Sequence, residues 1–274
     1  MGREPTLLTS TQNPRIKHVI DLRERRTRDK SGLFLIEGYR ELFRAVAGGC
    51  RIESLYFCPE LFLGENENSL IQQIADQKAL LFQCGESVFR KMSYRDRPDG
   101  LIAVAKQQRQ GLSELDQQLS KQKHAPFLVV AEAIEKPGNL GTILRSSDAV
   151  GVDGLIVCDK CTDVYNPNVV RASVGTLFTV PVYETQGQQT IDWLREHQIS
   201  IVAATPSAQI EYSQVDLTQP IAIAVGTEQL GLSDLWMKQA DIQVRIPMLG
   251  VADSLNVAMA TTLLLYEALR QRRT

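Results

Sequence analysis

Histidine and cysteine are scarce in this sequence, and the few present stand apart. Three histidines (His18, His124, His197) are scattered over 274 residues. Five cysteines (Cys50, Cys58, Cys84, Cys158, Cys161) are an odd number without the spacing of a disulfide framework. Cys158 and Cys161 form one C-x-x-C, but a structural zinc needs four ligands and no second pair exists. Free thiols in a reducing cytosol, and no metal, are the simplest reading. No apolar run reaches the ~18 residues of a membrane span, and no signal peptide opens the chain, so a cytoplasmic protein is expected. Met1-Gly2-Arg3 begins a myristoylation pattern too loose to carry weight. Positive charge is not in excess either. Lys+Arg 30 against Asp+Glu 32 gives a net charge of -2, so any nucleic-acid contact must come from a local patch. Neither G-x-G-x-x-G nor a Gly-Lys-Ser/Thr loop occurs, which argues against a dinucleotide or nucleotide-triphosphate enzyme.

What is present is 43% apolar composition, enough for one large or two medium domains. A local basic patch does exist. Residues 14–30 read as one amphipathic helix, with Arg15, Lys17, Arg23, Arg25, Arg26, Arg28 and Lys30 opposed only by Asp21, Glu24 and Asp29. Strands near 33–36, 54–57, 79–83 and 101–105 alternate with helices near 37–47, 67–77 and 86–92, as in a small three-layer α/β domain spanning 1–106. Residues 107–124 are rich in Gln and Lys. Leu112, Leu115 and Leu119 have helical spacing there, but the stretch reads as a linker. Residues 125–274 form a second α/β domain. Phe127-Leu128-Val129-Val130-Ala131 is a continuous apolar run typical of a parallel strand covered on both faces. Further strands fall at 154–158, near 179–182, at 199–204 and 221–225, and near 242–246. Helices fall near 139–150, 167–174, 188–197, 232–239 and 255–270. Ligands of such a sheet belong beyond the carboxyl ends of its strands.

Four segments of the second domain could carry chemistry. Pro137-Gly138-Asn139-Leu140-Gly141 turns into a helix that carries Arg145, with Asn139 a good N-cap. Asn166-Pro167 opens a short helix bearing Arg171, a candidate phosphate contact. Val225-Gly226-Thr227-Glu228-Gln229-Leu230-Gly231 is a strand running into a glycine-bounded loop with a single carboxylate. Ile246-Pro247-Met248-Leu249-Gly250 leads through Asp253, Ser254, Leu255 and Asn256 into the last helix. Asp253 or Ser254 can cap that helix, and Leu255, Met259, Thr262, Leu263, Tyr266 and Leu269 give it an apolar stripe. Each segment also has a plain structural reading as a turn or cap.

Taken in order, Asn139…Gly141…Arg145, Val225–Ser233 and Ile246–Ala258 resemble the three motifs of the SpoU-type (TrmH-like) RNA 2'-O-ribose methyltransferases of the SPOUT superfamily. Asn166–Gly175 matches a further segment between the first two. Gln12–Lys17, Arg28 and Gly32–Gly38 are similar to the opening of the substrate-binding domain that many members carry. The resemblance implies an α/β catalytic domain with a mainly parallel sheet and a deep trefoil knot, which periodicity cannot show. It also implies a smaller ribosomal-protein-like N-terminal domain that presents RNA, and a homodimer with its sites near the subunit interface. The implied cofactor is S-adenosylmethionine, held by Thr205, Val225, Gly226, Glu228, Gly231, Ile246, Met248 and Leu255. The implied catalytic set is Asn139, Arg145, Glu228, Ser254 and Asn256. Arg15, Lys17, Arg25, Arg28 and Arg171 are candidates for RNA contacts. The implied reaction is methylation of a ribose 2'-hydroxyl, most readily in 23S-type ribosomal RNA. A tRNA methyltransferase and a non-catalytic ribosome assembly factor are the alternatives.

Overall fold

The computed structural model describes residues 4–159 and 162–273. Met1-Gly2-Arg3 and the Cys161 half of the C-x-x-C lie outside the described residues. The chain forms two compact units, one of Met1–Gln108 with Asp163–Thr179, the other of Arg109–Thr162 with Val180–Thr274.

The first unit runs β1 (Thr6–Leu8), α1 (Pro14–Asp21), α2 (Arg25–Ser31), β2 (Leu33–Glu37), α3 (Tyr39–Ala47), β3 (Ile52–Phe57), α4 (Glu67–Asp76), β4 (Leu80–Cys84), α5 (Glu86–Met92) and β5 (Leu101–Lys106). Its sheet has the order β1-β4-β3-β5-β2, with β5 antiparallel to both its neighbours. The single helix expected over 14–30 is two helices. Asn13 caps the first by accepting from the Arg15 N–H, and Pro14 takes its first position. The break has a local cause. The Arg28 guanidinium Nη1 donates to the Leu22 and Arg23 carbonyls at 2.9 and 2.5 Å, oxygens that a continuous helix would have used itself. Gly32 then ends α2 at φ 66, a left-handed conformation natural to glycine.

Cys50, Cys58 and Cys84 are buried in this unit. Burial pushes their thiols up to about 11, about 12 and about 12 respectively. The thiolate is the reactive form. Iodoacetamide at pH 8 should therefore label these three sites in the native protein about 10²-fold or more slowly than in urea. Peptide mass spectrometry reads this, and equal native and denatured rates at Cys84 would show that the strand is open.

The second unit begins with α6 (Leu112–Leu119), β6 (Phe127–Glu132), α7 (Pro137–Val150) and β7 (Gly154–Cys158). The chain then contributes α8 (Pro167–Ala172) to the first unit. It returns for β8 (Val182–Thr185), α9 (Gly187–Glu196), β9 (Ser200–Ala204), β10 (Ile210–Glu211), β11 (Ile221–Val225), α10 (Asp234–Gln239), β12 (Ile242–Arg245) and α11 (Val257–Arg272). The seven strands lie in the order β10-β12-β9-β11-β6-β7-β8, and every pairing is parallel. Leu128, Val130, Ala222 and Ala224 pack with Leu115 of α6, Ile191 and Leu194 of α9 and Trp236 of α10. The alternate residues Val129 and Ile223 are equally buried and point to the opposite layer. There α11 packs on β11 and α7 on β7, and the two helices pack on each other.

Two expectations need correction here, and one segment packs apart from its neighbours in sequence. The 107–124 linker is not a free connection, because Leu115 is fully buried and the Trp193 indole donates to Asp116 at 2.7 Å. The Leu112–Leu119 spacing thus marks a packed face. Residues 163–179, read as part of the 125–274 domain, pack within the first compact unit. Tyr165 stacks on Phe34 of β2 with ring centroids 4.5 Å apart, and Asp163 pairs with Arg28. The stripe expected to bury α11 is largely exposed at Leu255, Met259, Leu263 and Tyr266. The buried face is Val257, Ala258, Thr261, Leu264, Leu265 and Ala268. That helix is apolar around most of its circumference, so spacing alone does not choose the face.

Candidate active site

A cavity of about 440 Å³ opens at the carboxyl end of the second unit's sheet, where β9, β11 and β12 run into loops. Every residue singled out for the cofactor borders it: Thr205 after β9, Val225, Gly226, Glu228 and Gly231 at and after β11, Ile246 and Met248 after β12, and Leu255 before α11. A parallel sheet brings these loops together because all its strands end on one side.

The loop after β11 is held shut by its own backbone. The Thr227 N–H donates to the Gly231 carbonyl and the Gly231 N–H to the Thr227 carbonyl, both at 3.0 Å. The Leu230 N–H also reaches the Thr227 hydroxyl at 3.0 Å. Gly226 sits inside this closure. A Cβ there would lie 2.2 Å from the Gly231 carbonyl carbon and oxygen and 2.3 Å from the Leu232 nitrogen. Gly231 has φ +70 with open space around it, so its need for glycine is conformational. The following helix is anchored by Glu132 of β6, whose Oε2 accepts from the Ser233 N–H at 2.8 Å.

One hydrogen-bonded chain joins the three motifs beside the cavity. Asn256 Nδ2 donates to Asn139 Oδ1 at 3.1 Å, and Asn139 Nδ2 donates to Glu228 Oε1. Asn256 Oδ1 accepts from the Ala258 N–H at 3.0 Å, so it is the cap of α11 in place of Asp253 or Ser254. Asn139 is likewise not the cap of α7. That helix starts two residues earlier at Pro137, which frees the Asn139 side chain to bridge the other two motifs. Glu228 is engaged by Asn139 and not by Arg145.

Ser254 borders the cavity, whereas Asn139 and Asn256 stand beside it through Glu228 and Leu255. Arg145 is exposed on α7 and does not border the cavity. Alongside, Ser146 and Thr262 share a 2.6 Å hydroxyl contact that ties α7 to α11. Sequence reasoning missed Met237, which reaches the cavity from α10, and Val257 and Ala260 in the first turn of α11. These read as ordinary core positions, and no local signal distinguishes them.

In the first unit, Arg15, Lys17, Arg25 and Arg171 are exposed. Arg15 lies over the Phe82 ring at 4.8 Å, and Arg25 pairs with Asp29. Arg28 is corrected from an RNA contact to a structural residue. It is 1% exposed, and its Nε and Nη2 both donate to Asp163 Oδ2, at 2.8 and 2.5 Å. Among the described residues no group of three or more His, Cys, Asp or Glu side chains is placed to hold a metal ion, and no helix is long and apolar enough to cross a membrane.

The cavity suits an amphipathic, cationic nucleoside. Val225, Val244, Ile246, Met248 and Val257 supply apolar wall, Glu228 and Asp253 supply negative charge, and the Gly226 loop supplies close backbone. Residues 126–266 match the SpoU rRNA Methylase family, and residues 13–103 the MRM3-like substrate binding domain. The chain is 33% identical over 263 residues to a 23S rRNA (uridine(2479)-2'-O)-methyltransferase of Streptomyces viridochromogenes, covering 92% of this chain and 87% of that protein. It is 24% identical over 259 residues to a 23S rRNA (guanosine(2553)-2'-O)-methyltransferase of Bacillus subtilis, covering 94% and 97%. An AdoMet-bound rRNA methyltransferase from Sinorhizobium meliloti has the same fold, with a TM-score of 0.88 at 28% identity over 98% of each chain.

Proposed function

The chain belongs to the SpoU rRNA methylase family, and from that premise we propose that it methylates a ribose 2'-hydroxyl of 23S-type ribosomal RNA. The observation that carries this reading is the Asn256–Asn139–Glu228 chain beside a cavity lined by all eight expected cofactor residues. S-adenosylmethionine, held by Thr205, Val225, Gly226, Glu228, Gly231, Ile246, Met248 and Leu255, supplies the electrophilic methyl group when bound.

The protein's own part is positioning and charge stabilisation. Holding two reactants in line contributes on the order of 7–11 kcal/mol. Arg145 is not a base, since a guanidinium stays charged in proteins. It serves as an orienting donor to the ribose or the adjacent phosphate and stabilises the developing alkoxide. The hydroxyl proton leaves to that phosphate or to water. Asn139 and Asn256 fix the Glu228 carboxylate at the cavity, and Ser254 faces the substrate side.

Arg145 stands away from the cavity of its own chain, which favours a homodimer that brings it to a site near the interface. The exposed apolar row of Leu255, just before α11, and Met259, Leu263 and Tyr266 on it, next to α7, supports such a pairing. The path from β12 back across the sheet to α7 and β11 is consistent with the family's trefoil knot. Arg15, Lys17, Arg25 and Arg171 are the proposed phosphate contacts of the RNA-binding unit. Work on ribosomal RNA also favours a cytoplasmic location.

Mapping 2'-O-methyl groups in ribosomal and transfer RNA from cells with and without the protein tests the reading. A missing methyl group confined to transfer RNA would replace it with the tRNA alternative, and no missing group would support the assembly factor. Arg145→Lys should lower turnover about 10²-fold or more, because one ammonium cannot reproduce the planar fork. Near-full activity would remove Arg145 from this role, as would a monomer by sedimentation at micromolar concentration.

A further inference from the structure

Tyr94 has no part in the donor cavity, yet it is held from three sides and left open to solvent. It stands in the loop between α5 and β5 of the first unit and is 41% exposed. Its N–H donates to Glu37 Oε2, at the end of β2, at 2.9 Å. The Arg23 guanidinium lies over one face of the ring, 5.7 Å from its centroid. That guanidinium is itself pinned, because its Nη2 donates to the Met92 and Ser93 carbonyls at 2.7 Å each. The Tyr94 hydroxyl accepts from Asn168 Nδ2 of α8 at 3.0 Å. Three segments far apart in sequence thus hold one exposed ring. Tyr56 and Tyr165, which serve packing in the same unit, are buried. The surroundings of Tyr94 carry positive charge. Arg171 is exposed on α8 three residues after Asn168, hence on the same side of that helix. Arg97 is exposed three residues after Tyr94, with Asp96 the exposed acid beside it. Glu37 is already engaged, since it also accepts from the Ser93 hydroxyl and the Arg95 N–H.

We propose that the face of the Tyr94 ring opposite Arg23 is a stacking platform for an unpaired base of the RNA, with Arg171 at a neighbouring phosphate. Proteins hold single strands by stacking bases on aromatic side chains beside a basic surface. Every base has a π-face, so such a platform tolerates any sequence. Arg23 under the ring adds a cation–π contribution. A ring already ordered by its neighbours loses little freedom when the base arrives. The platform therefore anchors the strand and does not select the methylated nucleotide. This inference rests on the RNA reading above and adds a contact that none of the proposed basic residues supplies.

The test uses the full chain and fluorescein-labelled pentaribonucleotides, with binding read by anisotropy and an abasic strand of the same length as control. Adenine and uracil pentanucleotides should bind within about fivefold of each other. Tyr94→Leu should weaken both at least about tenfold and leave the abasic strand unchanged. Tyr94→Phe keeps the ring and should stay within about threefold of wild type. Arg171→Gln should weaken all three strands, the abasic one included. Photocrosslinking of a 5-iodouridine pentanucleotide to the wild-type protein reads the stack without any variant. Peptide mass spectrometry should find the adduct on Tyr94. Unchanged pentanucleotide affinity in Tyr94→Leu, an equal loss on the abasic strand, crosslinks only at other residues, or no binding of any pentanucleotide overturns the proposal. Methyl transfer to ribosomal RNA by the same preparation decides separately whether the RNA reading stands.

Discussion

Gly226→Ala is expected to weaken S-adenosylmethionine binding by about 10- to 100-fold, the equivalent of the 1–3 kcal/mol typical of overpacking. The added methyl group would meet backbone atoms at 2.2 and 2.3 Å, and backbone cannot swing aside as a flexible side chain can. The reciprocal Thr227–Gly231 hydrogen bonds would have to open, and with them the loop that carries Glu228 to the cavity. Two other glycines separate this effect from a general intolerance of alanine. At Gly138, on the exposed first turn of α7, a Cβ meets nothing within 4 Å, so alanine should be neutral or mildly stabilising. At Gly231 space is also open but φ is +70, so alanine should cost about 1–2 kcal/mol through strain alone. Titration calorimetry with S-adenosylmethionine and thermal unfolding together read all three. Unchanged donor affinity in Gly226→Ala would show that the loop does not form the donor site.

Arg28→Met is expected to destabilise the first unit by about 3–5 kcal/mol, the usual result of leaving one partner of a buried ion pair alone. Asp163, with its side chain 6% exposed, would lose both guanidinium hydrogen bonds and keep only the Tyr165 N–H, at 3.0 Å. The Leu22 and Arg23 carbonyls at the α1–α2 break would lose their donor as well. Asp163→Asn removes the orphaned charge while its oxygen can still accept from Tyr165. The double variant Arg28→Met/Asp163→Asn should therefore recover part of the loss, and urea unfolding of the four proteins in the cycle measures the coupling. Because Arg28 is structural, RNA affinity per folded molecule should stay near wild type. A stable Arg28→Met protein with selectively lost RNA binding would restore the RNA contact that its burial argues against.

The strands of the second unit were legible because a parallel strand covered on both faces is a continuous apolar run, as at 127–131 and 221–225. The two strands that escaped, Thr6–Leu8 and Ile210–Glu211, are too short for any period to show. The motif residues were legible only through their resemblance to a family, since each segment alone reads as a turn or a cap.

By itself, the sequence determined the α/β class and, through resemblance, marked the three motif segments, of which Val225–Ser233 and Ile246–Ala258 border the cavity. Local patterning and motif order are written along the chain and survive without knowledge of what packs where. Tertiary structure decided the rest, because it depends on neighbours far away in the chain. It placed 163–179 in the first unit through Asp163 and Tyr165. It turned Arg28 from a surface cation into a buried clasp, and it chose which face of α11 is covered. It also decided that Asn139, freed from capping α7, bridges Asn256 and Glu228.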